Sequence, residues 1–225
     1  EQGLKLVRKR GEFMHRAATE HPGGMAAIIG LDINKVEEIC KEASQAGIVV
    51  VANLNSPGQV VISGEKKGID EAVKLATEVG AKRAIPLKVS GAWHSPLMES
   101  AKERLAQEIE KTNFIDPKIP LVANVTADYV RNAESIKKAL IDQVCGIVRW
   151  EDSIKRIIGD GFDTFIEVGP GKVLSGLLKR INREVKVLNV EDKASLEETL
   201  NQINPKSEIR NPKQIQNTNH ESNFH

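Results

Sequence analysis

His94 lies in Val89-Ser90-Gly91-Ala92-Trp93-His94-Ser95-Pro96-Leu97-Met98, between a strand-like run and the start of a helix. Imidazole titrates near neutrality, so a histidine at the end of a sheet can take a proton from a nucleophile as a general base. The plainer alternative is a loop histidine that caps or packs. His21, His220 and His225 fall in loop or tail sequence and His15 on the first helix, so His94 is the histidine whose setting resembles a catalytic one. Arg8 and Arg10 share that first helix. A solvated face is the ordinary reading of either; a bidentate clamp on a carboxylate is the functional one. Asn53-Leu54-Asn55-Ser56-Pro57-Gly58-Gln59 is dense in hydrogen-bonding groups and reads as a turn, or as the lining of a cleft.

A nucleophile for the base is harder to find. The Gly-x-Ser-x-Gly elbow occurs nowhere in the 225 residues. Ser90 and Ser95 are too close to His94 in sequence to be recognised as its partner. Ser175 sits in an apolar helix, and nothing around Cys145 marks a lowered thiol pKa. Gly169-Pro170-Gly171-Lys172 fails as a phosphate loop: Ile166 stands where the first Walker glycine belongs, and Val173 replaces the Ser or Thr after the lysine. A tight strand-to-helix turn is the better reading.

A net charge of +1 gives no pull toward nucleic acid or a membrane surface, and no apolar run reaches the roughly 20 residues of a membrane span. Two cysteines, Cys40 and Cys145, make neither a disulfide framework nor a metal cluster. The N-terminus is not a signal peptide, so a cytoplasmic protein is expected. The absent initiator Met leads us to expect a start inside a longer reading frame.

These residues need elements to hold them. A helix is expected over Leu4–Arg16, interrupted at Gly11. Then come a strand (Met25–Leu31), a helix capped by Asp32 and ending near Gly47, and a strand (Ile48–Ala52). The Asn53–Gly58 turn, a strand (Gln59–Ser63), a helix stopped by Gly80 and a strand (Lys82–Val89) complete a β-α-β-β-α-β block. Beyond His94 the texture is α/β, with Pro96 in a first helical turn. A helix is expected to about Thr112, a buried-type strand over Ile119–Val125, and helices over Ser135–Val144 and Trp150–Ile158. The strand Thr164–Val168, a helix from Val173, the strand Val185–Val190 and the helix Ala194–Gln202 follow. Residues 204–225 are polar, repeat Asn-Pro-Lys, and are expected to be disordered.

Read together, the chain resembles the malonyl-CoA:acyl-carrier-protein transacylases of bacterial fatty-acid synthesis, over residues 1 to about 202. The resemblance rests on Arg8–Met14, Gly24–Leu31, Asn53–Gly64, Val89–Met98, Val148-Arg149-Trp150 and Glu167–Leu174, in this order and spacing. It implies an α/β fold: an α/β-hydrolase-like larger subdomain, here partial (1–22 and 90–203), with an inserted ferredoxin-like subdomain (23–89). It implies ping-pong transfer of malonyl from coenzyme A, through a serine, to the phosphopantetheine thiol of acyl carrier protein. In that scheme His94 is the base, the backbone carbonyl of Gln143 orients it, and Arg10 binds the malonyl carboxylate. Asn53 and Asn55 bind substrate, and Trp93, where such proteins commonly carry Phe, crowds out a methyl branch. Malonyl-CoA is a substrate, no cofactor or metal is expected, and a monomer is. In the family the serine elbow and an oxyanion loop precede residue 1, so the chain is expected to be a fragment inactive by itself. Gly146-Ile147 also departs from the usual x-Pro. The alternatives are an acyltransferase domain of a polyketide synthase, or a non-catalytic homologue.

Overall fold

The computed structural model describes residues 1–204, so the tail expected to be disordered lies, apart from Asn204, outside the described residues. Helix α1 runs unbroken over Gln2–Glu20. Gly11 does not interrupt it, because a single helical glycine costs only about 1 kcal/mol against alanine. Met14, Ala17 and Ala18 fall on one face and pack on helix α4 (Glu99–Glu110). Ala101, Leu105 and Ile109, at four-residue steps, supply the facing stripe. Lys9 pairs with Glu108 and Arg104 with Glu20 across the seam.

Strands β1 (Gly24–Ile29), β2 (Val49–Ser56), β3 (Gln59–Gly64) and β4 (Arg83–Pro86) form an antiparallel sheet in the order β2-β3-β1-β4. Helices α2 (Ile33–Ala43) and α3 (Lys66–Glu78) cover one face, as a ferredoxin-like β-α-β-β-α-β topology requires. Asp32 caps α2 by accepting the Lys35 amide. Strand alternation splits the sheet's side chains. Ala26, Ile28, Val60 and Ile62 pack with Val36, Ile39, Ile69 and Ala72 from the helices. Met25, Ala52 and Val61 face the other way, onto Trp93.

The loop expected over Asn53–Gly58 is instead mostly strand: β2 continues to Ser56 and only Pro57-Gly58 turn. Val148 explains the difference. Its amide donates to Ala52 O at 2.8 Å and its carbonyl accepts from Leu54 N at 2.9 Å, so this stretch is held in extended form. The expected strand before His94 ends early, at Pro86, leaving residues 87–95 as a loop.

A 3-10 turn at Pro96–Met98 leads into α4. The strand expected over Ile119–Val125 is a short hairpin, β5 (Leu121–Ala123) with β6 (Asp128–Val130). It is not buried: Ile119 is 78% exposed. Three-residue strands carry too little period to be read from sequence. Helices α5 (Ala133–Asp142) and α6 (Trp150–Gly159) follow. The next portion of chain forms the parallel pair β7 (Thr164–Val168) and β8 (Lys186–Val190), joined through α7 (Val173–Ile181) and followed by α8 (Lys193–Ile203). Among the described residues no helix is long and apolar enough to cross a membrane.

Candidate active site

Four elements meet around His94. Arg10, Gly11, Met14 and His15 from α1, Met25 from β1, Asn53 from β2, and Ser90, Trp93 and His94 from the loop line one open cavity of about 490 Å³. His94 has φ of +61°, the left-handed region that costs a non-glycine residue free energy unless its surroundings compel it. One compelling contact is with Gln143, whose backbone carbonyl lies 2.9 Å from Nδ1. Gln143 is the C-cap of α5, and carbonyls of a last helical turn lack donors within the helix. The ring N–H supplies one. That bond fixes the proton on Nδ1 and leaves Nε2 as the basic atom. A helix C-terminus also favours the imidazolium that proton uptake creates.

Burial pushes the His94 pKa down. The Gln143 carbonyl opposes this, the positive charge of Arg10 adds to it, and the Gly146 carbonyl opposes it again. The net shift is downward, so the ring is a neutral base at physiological pH.

Arg10 and Arg8 part company. Arg8 points outward and pairs with Glu12, whereas Arg10 is partly buried in the cavity wall. Burial lowers the Arg10 pKa, though a guanidinium stays charged. No hydrogen bond or ion pair joins Arg10 to any described residue, while Arg16, Arg104, Arg149 and Arg156 all hold carboxylates. A desolvated guanidinium of this kind is a receptor for an anion.

Asn53 reaches the cavity through a β-bulge. Between Val51 and Asn53 the register against β3 slips, so Asn53 sits opposite Val61, on the Trp93 side. Without the slip it would oppose Val60 and point into the helix-covered core. Asn55 does not line the cavity; a second irregularity between Leu54 and Ser56 separates it from Asn53.

Trp93 packs on the α1–α4 core and on the sheet's uncovered face at once. Gly91 makes this fit: a methyl there would lie 2.6 Å from Ala18 Cβ and 2.8 Å from Trp93 Cη2. Gly91→Ala therefore displaces the indole and costs about 1–3 kcal/mol of overpacking. The check is a shifted indole emission together with a lowered melting temperature.

Of the nucleophile candidates, Ser90 lies in the cavity wall, and Ser95, Ser175 and Cys145 have structural roles or stay protonated. Ser95 Oγ donates to Ala92 O at 2.6 Å and accepts from Leu97 N, capping the turn at Pro96. Burial, then the Glu99 carboxylate, pushes the Cys145 thiol up to about 12; burial does the same to Cys40. Both stay protonated. Glu167 accepts from Leu174 N, Ser175 N and Ser175 Oγ, so a carboxylate already occupies the start of α7 after Gly169–Lys172. That confirms the tight-turn reading over a phosphate loop. Met14, His15, Met25 and Ser90 were not recognisable as wall residues from sequence; Met14 and His15 lie one helical turn from Arg10 and Gly11, which is the signal that places them together. Among the described residues no group of three or more His, Cys, Asp or Glu could hold a metal ion.

A half-buried histidine with an oriented ring and a guanidinium without a protein partner among the described residues thus line one cavity. The model of the acyl transferase domain family matches residues 1–217, and the chain belongs to that family. It is 47% identical over 192 residues to the malonyl CoA-acyl carrier protein transacylase of Bacillus subtilis (strain 168), covering 85% of this chain and 61% of that one. The crystal structure of malonyl CoA-acyl carrier protein transacylase from Clostridium perfringens superposes with a TM-score of 0.87 at 43% identity, covering 91% of this chain and 64% of that one. A malonyl-transacylase in complex with its type II PKS acyl-carrier protein superposes with a TM-score of 0.86 at 42% identity, covering 89% and 65%. The fold is thus an α/β-hydrolase-like larger subdomain with a ferredoxin-like smaller one. The chain spans somewhat over three fifths of the length of the curated relatives it matches.

Proposed function

We propose that the protein transfers malonyl from coenzyme A to the phosphopantetheine thiol of acyl carrier protein. The observation that carries this reading is Arg10: a partly buried guanidinium without a protein partner, in the same cavity as His94. Thioester exchange alone calls for a base and an oxyanion site. The guanidinium adds a place for the second, ionised carboxyl of malonyl. The relatives' names support malonyl-CoA and acyl carrier protein as substrates, and the carrier-protein complex of one structural neighbour supports the second acceptor.

In this reading the chemistry is ping-pong. His94 Nε2 takes the proton of a serine as the serine oxygen attacks the malonyl thioester carbon. The coenzyme A thiolate leaves and takes that proton back. The carrier-protein thiol then gives its proton to His94 and attacks the malonyl-serine ester, and the serine is restored. The Gln143 carbonyl holds the ring through both half-reactions. Asn53 and Trp93 shape the acyl pocket. Malonyl-CoA enters as substrate, and the scheme needs no cofactor or metal. We place the reaction in fatty-acid synthesis, carried out by a cytoplasmic monomer that neither binds nucleic acid nor inserts in a membrane.

The serine belongs, on this proposal, to the part of the relatives' length that the chain does not span. The test is intact-mass spectrometry of the 225-residue chain after incubation with malonyl-CoA. The expected result is no covalent malonyl. A stable adduct, with Ser90 in the cavity wall the residue to inspect first, would overturn the assignment of the nucleophile. A full-length protein that binds malonyl-CoA yet never becomes acylated would favour a non-catalytic homologue.

A further inference from the structure

Gln143 offers more than its carbonyl. Its side-chain Nε2 donates to Gly146 O at 2.9 Å and to Ile147 O at 3.3 Å, which uses both amide hydrogens. The amide therefore ties down the turn that follows α5. That turn is tight: Gly146 N donates to Asp142 O at 2.8 Å, and a methyl on Gly146 would lie 2.7 Å from that same oxygen and 2.7 Å from Val125 Cγ2.

Each end of the clamped turn has a task at the site. At one end is the Gln143 carbonyl that receives His94 Nδ1. In the middle is Gly146, the second carbonyl that favours the protonated ring. At the other end Val148 brackets Asn53, donating to Ala52 O and accepting from Leu54 N. Backbone carbonyls in a free turn are aimed only by soft φ and ψ rotations. Here one side chain removes that freedom for the whole of residues 143–147.

We propose that the Gln143 side chain is a positioning residue: by clamping the Gly146 and Ile147 carbonyls it aims its own carbonyl at His94 and holds Val148 in register with Asn53. The base's tautomer and the binding strand's placement are then set by one amide. This rests on the reading of His94 as the base, but its test does not use turnover.

The test is 15N NMR of the 225-residue chain with labelled histidine, the His94 signals assigned by their loss in His94→Ala. In the native chain neutral His94 carries its proton on Nδ1. In Gln143→Met, which keeps the length and shape but has no donor, the Nδ1–H to Nε2–H ratio falls by about 10-fold, the worth of roughly one net hydrogen bond. The backbone amide signals of Ala52–Leu54 shift with it. Circular dichroism confirms that the fold is kept. Should Gln143→Met not fold, Gln143→Asn serves, since its amide is one methylene too short to reach both carbonyls. An unchanged tautomer ratio and titration midpoint in a folded variant overturn the proposal. So does unfolding of both variants, because the side chain would then be holding the fold and not the ring. If instead a full-length protein transfers malonyl equally well with His94→Ala, the function reading fails while the clamp stands.

Discussion

His94→Ala lowers kcat for malonyl transfer by about 10²–10⁴-fold, the usual worth of a positioned general base, in a full-length protein that joins this site to its nucleophile. KM for malonyl-CoA changes little, because Arg10 and Asn53, not the imidazole, are assigned to hold the ground-state substrate. Initial rates of coenzyme A release measure it, and a loss under about 10-fold would remove His94 from the base's role. The pH profile gives a second reading of the same residue. Burial first, and Arg10 after it, lower the His94 pKa against the pull of the Gln143 and Gly146 carbonyls. A base works when unprotonated, so activity falls as pH drops through that pKa. The acid limb of kcat/KM should therefore lie below the ordinary imidazole midpoint of about 6.5.

Arg10→Ala cuts kcat/KM for malonyl-CoA by about 10²-fold, as expected when a charge-assisted pair of hydrogen bonds is lost. Acetyl-CoA, with no carboxylate to hold, loses far less, and the ratio of the two substrates collapses. The expected preference for malonyl comes from what acetyl leaves behind: a desolvated guanidinium with nothing to bind. Arg10→Lys restores the charge without the fork and recovers only part of the preference. The same substitutions report on the base. Alanine removes a cation that depresses the His94 pKa, so the acid limb moves upward, while lysine keeps it low. Competition between malonyl-CoA and acetyl-CoA, read by mass of the acylated carrier protein, decides the matter. An unchanged ratio would mean that Arg10 is not the carboxylate's partner.

The repeating elements were legible in the sequence because their periods are long. The β-α-β-β-α-β order, the Asp32 cap and the strand-helix-strand run from Thr164 to Val190 all carry a strong local signal. What the periods do not carry is contact across the fold. Arg8 and Arg10 are the same residue type two positions apart, and only the packing of α1 on α4 sends one to solvent and the other into the cavity. Asn53 was singled out by its neighbours, yet the slip that aims it comes from pairing with β3 and Val148, far away in sequence. Gln143 acts through a backbone carbonyl, a group every residue has, so its own identity could not mark it; the family resemblance did. The Asn53–Gly58 stretch departs from expectation for the converse reason: its composition is that of a turn, and distant hydrogen bonds hold it as strand as far as Ser56.

The slip between Val51 and Asn53 bears on how this site can change over generations. Side chains alternate along a strand, so loss of one residue from a regular strand exchanges its two faces. A bulge holds one residue more than the partner strand needs. Deleting Ala52 would therefore leave Asn53 next to Val51 and still opposite Val61, on the Trp93 side. What the strand would lose is the contact of Ala52 with Met25 and Val61, not the aim of the Asn53 amide. The bulge is thus a reserve of length at the edge of the cavity: this one position can be lost from the chain while Asn53 keeps its face.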